Sequence, residues 1–175
     1  MVSEALQNIN RPEYTISGLK LLPAQINILM QSCDDNTVLK HLNMVRKGIS
    51  DENAQLIAKS LCVNKGLEHI ELSGNNLEAG AAKALGEMLI KNKTLKVLNL
   101  EMNDIISNGK DPSGIRMIAE ALRVNTTLIS LNLNSTGLDA ECSSMLAEAM
   151  EHNNTLILLD VEGNPNMNIY DVRAI

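Results

Sequence analysis

Leu95-Lys-Val-Leu-Asn-Leu-Glu-Met-Asn103 decides the fold of this chain. Its leucines fall at Leu95, Leu98 and Leu100, and an asparagine follows three residues after the last of them. The same spacing occurs at Leu39/Leu42/Met44, Leu67/Ile70/Leu72, Leu128/Leu131/Leu133 and Leu156/Leu159/Val161. Successive copies are 28, 28, 33 and 28 residues apart. A fixed period of this length marks one recurring structural unit, and the L-x-x-L-x-L spacing gives each unit a strand and a helix. Along the strand the leucines face inward and the residues between them face outward. Helices are expected over 51–63, 78–90, 113–124 and 139–151, with apolar positions such as Ala54, Ile57, Ala58 and Leu61 at helical spacing.

Neither the strand layer nor the helix layer can bury its apolar face alone, so each unit is stable only against its neighbours. Ala58, Ala81, Ala82 and Ala119 are small enough to let successive helices stack closely. The expected fold is α/β, a right-handed leucine-rich-repeat solenoid. A curved parallel sheet of five or six strands lines its concave side, and helices cover the convex side. One domain over 1–175 is expected, with an N-terminal cap and degenerate repeat in 1–38, five repeats in 39–164 with the last incomplete, and the start of a C-terminal cap in 165–175. The degenerate repeat follows from Tyr14 and Ile16, one period before Leu42 and Met44, and from the helical spacing of Ile26, Leu29 and Met30. A short helix over 3–9 should cover its end. Ile169, Val172 and Ile175 form one helical stripe that stops after barely two turns. That stripe fits either a cap on the last repeat or a chain that continues beyond Ile175.

An asparagine closes the turn after the strand at Asn75, Asn103 and Asn164, where its amide can bond loop backbone of its own and the adjacent repeat. Lys47 and Thr136 stand at the same phase. Thr136 keeps a hydroxyl for the purpose, whereas Lys47 implies a looser first turn. Four Asn-x-Ser/Thr sites occur, at Asn92, Asn125, Asn134 and Asn153. Three share one repeat phase at the helix-to-strand junction, so they read as caps and turns rather than glycan acceptors. The one broken interval comes from five extra residues between Asn103 and Ile115. Asn108-Gly109 and Asp111-Pro112 are turn signals there. Asn108, Lys110 and Asp111 are the loop's candidate recognition residues.

Composition removes several classes of function. The chain has 175 residues, 15 basic against 21 acidic, and a net charge of −6. Nucleic-acid grooves need clustered Lys and Arg, so no nucleic-acid partner is expected. No run of about 18 apolar residues occurs, so no membrane span is expected, and the first ten residues have no signal-peptide pattern. Phe and Trp are absent, which makes the core aliphatic. Cys33, Cys62 and Cys142 are too few and scattered for a disulfide framework and read as reduced thiols of a cytoplasmic protein. There is no G-x-x-x-x-G-K-S/T phosphate loop and no ordered Ser/His/acid set. No catalytic residue or cofactor is expected.

Register turns the exposed strand face into three columns, with neighbours about 4.8 Å apart. They are His41, His69, Val97, Ser130, Leu158; then Asn43, Glu71, Asn99, Asn132, Asp160; then Val45, Ser73, Glu101, Asn134, Glu162. These fifteen positions carry four carboxylates and no Lys or Arg. The expected binding face is therefore His41, Asn43, His69, Glu71, Asn99, Glu101, Asn132, Asn134, Asp160 and Glu162. Lys40, Glu68 and Lys96 alternate in sign at the strand starts and can pair across strands. Ile129, Ile157 and Leu158 form an apolar cluster at the C-terminal end of the face. His41, His69 and Glu71 are ligand types for zinc, but neither their spacing nor a third strong ligand supports a site, so exposed neutral histidines and no metal are expected.

Asn-x-Thr-Leu at the junction, with a full helix per repeat, resembles the ribonuclease-inhibitor-like class of leucine-rich repeats. Within it, the run Asn92-Lys-Thr-Leu-Lys-Val-Leu-Asn-Leu-Glu-Met-Asn-Asp-Ile105 and the run Ala119-Glu-Ala-Leu-Arg-Val-Asn-Thr-Thr-Leu128 resemble the C-terminal domain of tropomodulins and leiomodins. The resemblance covers roughly residues 11–164, and that family also has an irregular repeat late in the domain. Because that family binds actin at filament pointed ends, the resemblance implies a protein partner from the cytoskeleton. The expected function is a non-catalytic protein-interaction module. The alternatives are a regulatory GTPase activator of the Ran type or a structural subunit of a larger assembly.

Overall fold

A computed structural model of the chain describes residues 7–18 and 20–168. Strands and helices alternate as β1 (Glu13–Thr15), α1 (Pro23–Cys33), β2 (His41–Asn43), α2 (Asp51–Val63), β3 (His69–Glu71), α3 (Ala79–Lys91), β4 (Val97–Asn99), α4 (Ser113–Leu122), β5 (Ser130–Asn132), α5 (Ala140–Met150) and β6 (Leu158–Asp160). The six strands form one parallel sheet in chain order. Each parallel step needs a crossover, and the intervening helix supplies it. Tyr14, Leu42, Ile70, Leu98, Leu131 and Leu159 stand in one register row across the sheet. The stripe Ile169, Val172 and Ile175 lies outside the described residues, as does most of the expected 3–9 helix.

The core is one continuous aliphatic layer between sheet and helices. Ala54, Ile57, Ala58 and Leu61 of α2 and Ala81, Ala82, Leu85 and Leu89 of α3 point into it, as their spacing predicts. Helices α3 and α4 approach most tightly. A Cβ at Gly86 would lie 2.8 Å from the backbone of Met117, and one at Gly114 would lie 2.7 Å from the Ala79 carbonyl oxygen. Helix edges differ from expectation by one or two residues: α3 spans Ala79–Lys91 rather than 78–90, α4 stops at Leu122 rather than 124, and α5 spans Ala140–Met150 rather than 139–151. Glu78 is extended, its N–H donating to Asp51 Oδ1 at 2.7 Å, so α3 begins one residue later. Helix α4 ends at Leu122 because the N–H groups of Val124 and Asn125 both turn back to the Ala121 carbonyl.

Strands of three residues make few ladder bonds, and two rows of asparagine side chains supply the rest. At the helix-to-strand junction stand Asn36, Asn64, Asn92, Asn125 and Asn153. Each Oδ1 accepts the N–H groups two and three residues onward, at 2.7–2.9 Å. Each Nδ2 donates to a carbonyl of the preceding unit: Ile9, Cys33, Leu61, Leu89 and Leu122 respectively. Asn92 and Asn125 are buried, and all three junction sequons spend their amides on this ladder.

The second row closes the strand-to-loop turn. Asn75, Asn103 and Asn164 donate to carbonyls of their own and the preceding repeat, Leu72 and Met44, Leu100 and Leu72, and Val161 and Leu133. The Asn75 oxygen accepts from Lys47 and Ile49, and the Asn164 oxygen from Thr136 and Leu138. Thr136 bonds as expected, its hydroxyl donating to the Leu133 carbonyl at 2.6 Å. The looser first turn expected at Lys47 is not seen. Asn75 clamps its backbone from the next repeat, and the Lys47 ammonium donates to the Gly18 carbonyl at 2.6 Å.

Removing one ladder amide strands three backbone groups. Asn92→Ala is expected to lower the unfolding free energy by about 3 kcal/mol, at about 1 kcal/mol or more per buried unsatisfied group. The exposed α4 surface change Glu120→Ala should stay within about 0.5 kcal/mol. Urea unfolding measures both, and equal small effects would show that the ladder carries no stability.

Candidate partner-binding face

The exposed side of the sheet carries the first two sequence columns as drawn. Glu13, His41, His69, Val97, Ser130 and Leu158 are register partners, and so are Thr15, Asn43, Glu71, Asn99, Asn132 and Asp160. The third column follows the strands and continues the pattern, with the N–H groups of Gly74, Met102 and Ser135 bonded to the carbonyls of Glu101, Asn134 and Glu162. All ten expected face residues therefore share one surface, and β1 adds Glu13 and Thr15 to it. Glu13 stands one period before His41, so the period alone could have found it.

The second column has a structural duty that its sequence phase did not disclose. The side-chain oxygens of Asn43, Asn99 and Asn132 accept the N–H two residues onward, from Val45, Glu101 and Asn134, at 2.8–3.1 Å. Asp160 does the same for Glu162 at 3.3 Å. These are Asx turns, which bend the chain out of each strand. Only the Nδ2 donors of the asparagines remain for a ligand. Glu71 breaks the series: its carboxylate oxygen Oε1 contacts Nε2 of His69 instead.

The imidazoles of His41 and His69 stack, with ring centroids 3.9 Å apart and planes 6° from parallel. His41 lies below the ordinary imidazole range, first because burial disfavours its charged form and next because His69 stands beside it. Its Nε2 is buried without a hydrogen-bond partner, and Asn134 Oδ1 is the same. Both orphaned atoms belong to this face. Among the described residues, Glu101, Asp160 and Glu162 form no ion pair. Glu68 at the strand entry does, with Lys96 at 2.6 Å and Lys40 at 3.7 Å, and the Lys96 hydrogen bond holds its carboxyl below the usual range.

The insertion lies beyond β4, where the chain turns to α4. Ile105 and Ile106 anchor it in the core, leaving Asn108, Lys110 and Asp111 exposed. Ser107, Asn108 and Gly109 take left-handed backbone angles. Asp104 accepts from Asn108 N–H, and Asp111 accepts from Ser113 N–H at 2.9 Å. Asn108 and Asp111 thus shape the loop, and Lys110 is its exposed cation. At the other end of the face, Ile157 is 83% and Leu158 53% exposed, beside Ile129.

No protein-family model matches the sequence, and no curated protein matches it. Solved structures do. The chain is similar to leiomodin-1 actin-binding site 2, with a TM-score of 0.69 and 23% identity over 86% of this chain and 90% of that one. It is also similar to the tropomodulin C-terminal domain of Caenorhabditis elegans, with a TM-score of 0.69 and 14% identity over 87% and 92% of the two chains. The fold is that of the tropomodulin and leiomodin C-terminal domain. At these identities the likeness concerns the scaffold, and it agrees with the resemblance carried by the junction motifs.

The three thiols are free and differ in access. Burial pushes Cys33 up to about 11 and Cys142 up to about 12, and it raises the half-buried Cys62 as well. Raised values leave less thiolate at neutral pH, so all three react slowly. Iodoacetamide at pH 8 should label Cys62 first on the folded chain, with Cys33 and Cys142 labelled only once denaturant opens the core. Mass spectrometry of the peptides checks this. Equal labelling of all three in buffer would contradict the packing.

Proposed function

We propose that the chain is a cytoplasmic, non-catalytic protein-interaction module of the cytoskeleton that engages a partner through the concave strand face, with actin the partner to test first. The observation that carries this reading is electrostatic. Glu101, Asp160 and Glu162 form no ion pair among the described residues, and the three columns hold no Lys or Arg. Holding unneutralised carboxylates together on a rigid sheet costs stability through their mutual repulsion. A basic or hydrogen-bond-donating partner surface recovers that cost on binding. The outward Nδ2 groups of Asn43, Asn99 and Asn132 add donors in fixed positions. His41, His69, Glu71 and Asn134 extend the strip, and Lys110 with its loop flanks it. Leiomodin-1, whose actin-binding site 2 shares this fold, supplies the reason to begin with actin. No described helix is long and apolar enough to cross a membrane.

Monomeric actin titrated against the labelled chain, followed by fluorescence anisotropy, tests the assignment. Binding is expected to weaken as salt rises, because screening shortens the reach of surface charge to about 8 Å at physiological ionic strength. The combined change Glu71→Gln, Glu101→Gln, Asp160→Asn, Glu162→Gln should weaken it at least about tenfold, or roughly 1.4 kcal/mol. Undiminished binding by that variant would remove the concave face from the reading. Acceleration of GTP hydrolysis by a small GTPase, with no actin binding, would favour the regulatory alternative.

A further inference from the structure

A row of ligand-type side chains crosses the first three strands. Glu13, His41 and His69 occupy matched positions on β1, β2 and β3, and Glu71 lies on the same strand face two residues past His69. One ring nitrogen of each histidine and one carboxylate oxygen of Glu71 all lie within 4.8 Å of one another. We propose that His41, His69 and Glu71 form a binding site for a divalent transition-metal ion of the zinc class, with Glu13 the next carboxylate in register.

The donor set fits this class. Imidazole and carboxylate together suit zinc, whereas calcium and magnesium require oxygen ligands throughout. Zinc bonds of about 2.0–2.2 Å in a tetrahedral arrangement place donor atoms roughly 3.3 Å apart. The three donors therefore close by no more than roughly 1.5 Å, which rotation about the side-chain torsions provides. The near-parallel rings splay in the process, because each nitrogen lone pair lies in its own ring plane and both must aim at one point. The parallel register already holds the two histidines side by side.

The metal would also resolve two features of the free site. It replaces the proton shared between His69 Nε2 and Glu71 Oε1, and it gives the buried, unpartnered Nε2 of His41 a bond. A plain His69–Glu71 ion pair leaves that nitrogen orphaned. Three protein ligands leave a fourth position, to be filled by water, by Glu13 or by a donor from a bound protein. This site stands independently of the actin reading, because it concerns the isolated chain.

Isothermal titration of zinc chloride into the chain without a polyhistidine tag tests it. One zinc per chain is expected. His41→Gln and His69→Gln should each weaken binding at least about tenfold, the lower bound seen when even an outer-shell partner is lost. His152→Gln, on the segment after α5, should leave binding unchanged. Cobalt(II) should show the visible d–d band of a four-coordinate site without thiolate charge transfer, which separates the site from Cys62. On the unaltered chain, NMR ring signals of His41 and His69 should move with zinc while those of His152 stay, a readout that does not depend on variant folding. Absence of stoichiometric binding, binding insensitive to both histidine changes, or binding abolished by Cys62→Ser would each overturn the assignment.

Discussion

Each repeat is tied to the one before it by an asparagine carboxamide. A three-residue strand cannot hold parallel register through its ladder alone, and an isolated repeat buries too little to fold. The junction asparagine addresses both problems with a side chain that donates and accepts at once. Its oxygen fixes the N–H groups that lead into the strand, and its nitrogen reaches back to the preceding unit. Aspartate has the shape but no donor. Glutamine has the groups but a longer reach. The recurrence of asparagine at 36, 64, 92, 125 and 153 follows from that chemistry.

The concave face depends on the clamp. Only a fixed register puts His41 against His69, or sets the four carboxylates on or just after β3, β4 and β6 on one face of the sheet. The Asx turns of Asn43, Asn99 and Asn132 hold the strand exits, so the second column is scaffold and surface together. Where Glu71 replaces asparagine in that column, its carboxylate is released from turn duty and meets His69 instead. Glu71 departs from the architectural rule, and it is this departure that brings ligand groups together.

Much of this was legible in the sequence because a period is a coordinate system. From Leu42 and Met44 it located β1 through Tyr14 and Ile16, placed the Lys40–Glu68–Lys96 pairing, and identified the junction sequons as structural. It was silent where rotamers decide the outcome. Adjacency of His41 and His69 follows from register, but ring stacking, the Glu71 contact and the orphaned His41 nitrogen depend on side-chain torsions. The Asx turns left a trace, since asparagine recurs at 43, 99 and 132, yet the same trace reads equally well as an exposed amide strip. Asn108-Gly109 and Asp111-Pro112 mark the insertion as a loop, but its anchoring by Ile105 and Ile106 is a matter of packing that turn signals do not carry. The likeness to the leiomodin-1 and tropomodulin domains at 23% and 14% identity fits this division. Inward leucines and clamp residues suffice to set a scaffold, while outward columns are free to differ.

The most direct measurement is native-state hydrogen exchange by NMR. The amides of Leu95 and Leu128 have side-chain acceptors, Asn92 and Asn125, whereas those of Leu98 and Leu131 belong to strands β4 and β5. If the asparagine clamp holds the sheet together, all four exchange only through one shared opening, at the free energy of global unfolding. Rapid exchange of Leu95 and Leu128 beside fully protected Leu98 and Leu131 would contradict it, because the junctions would then open without the strands.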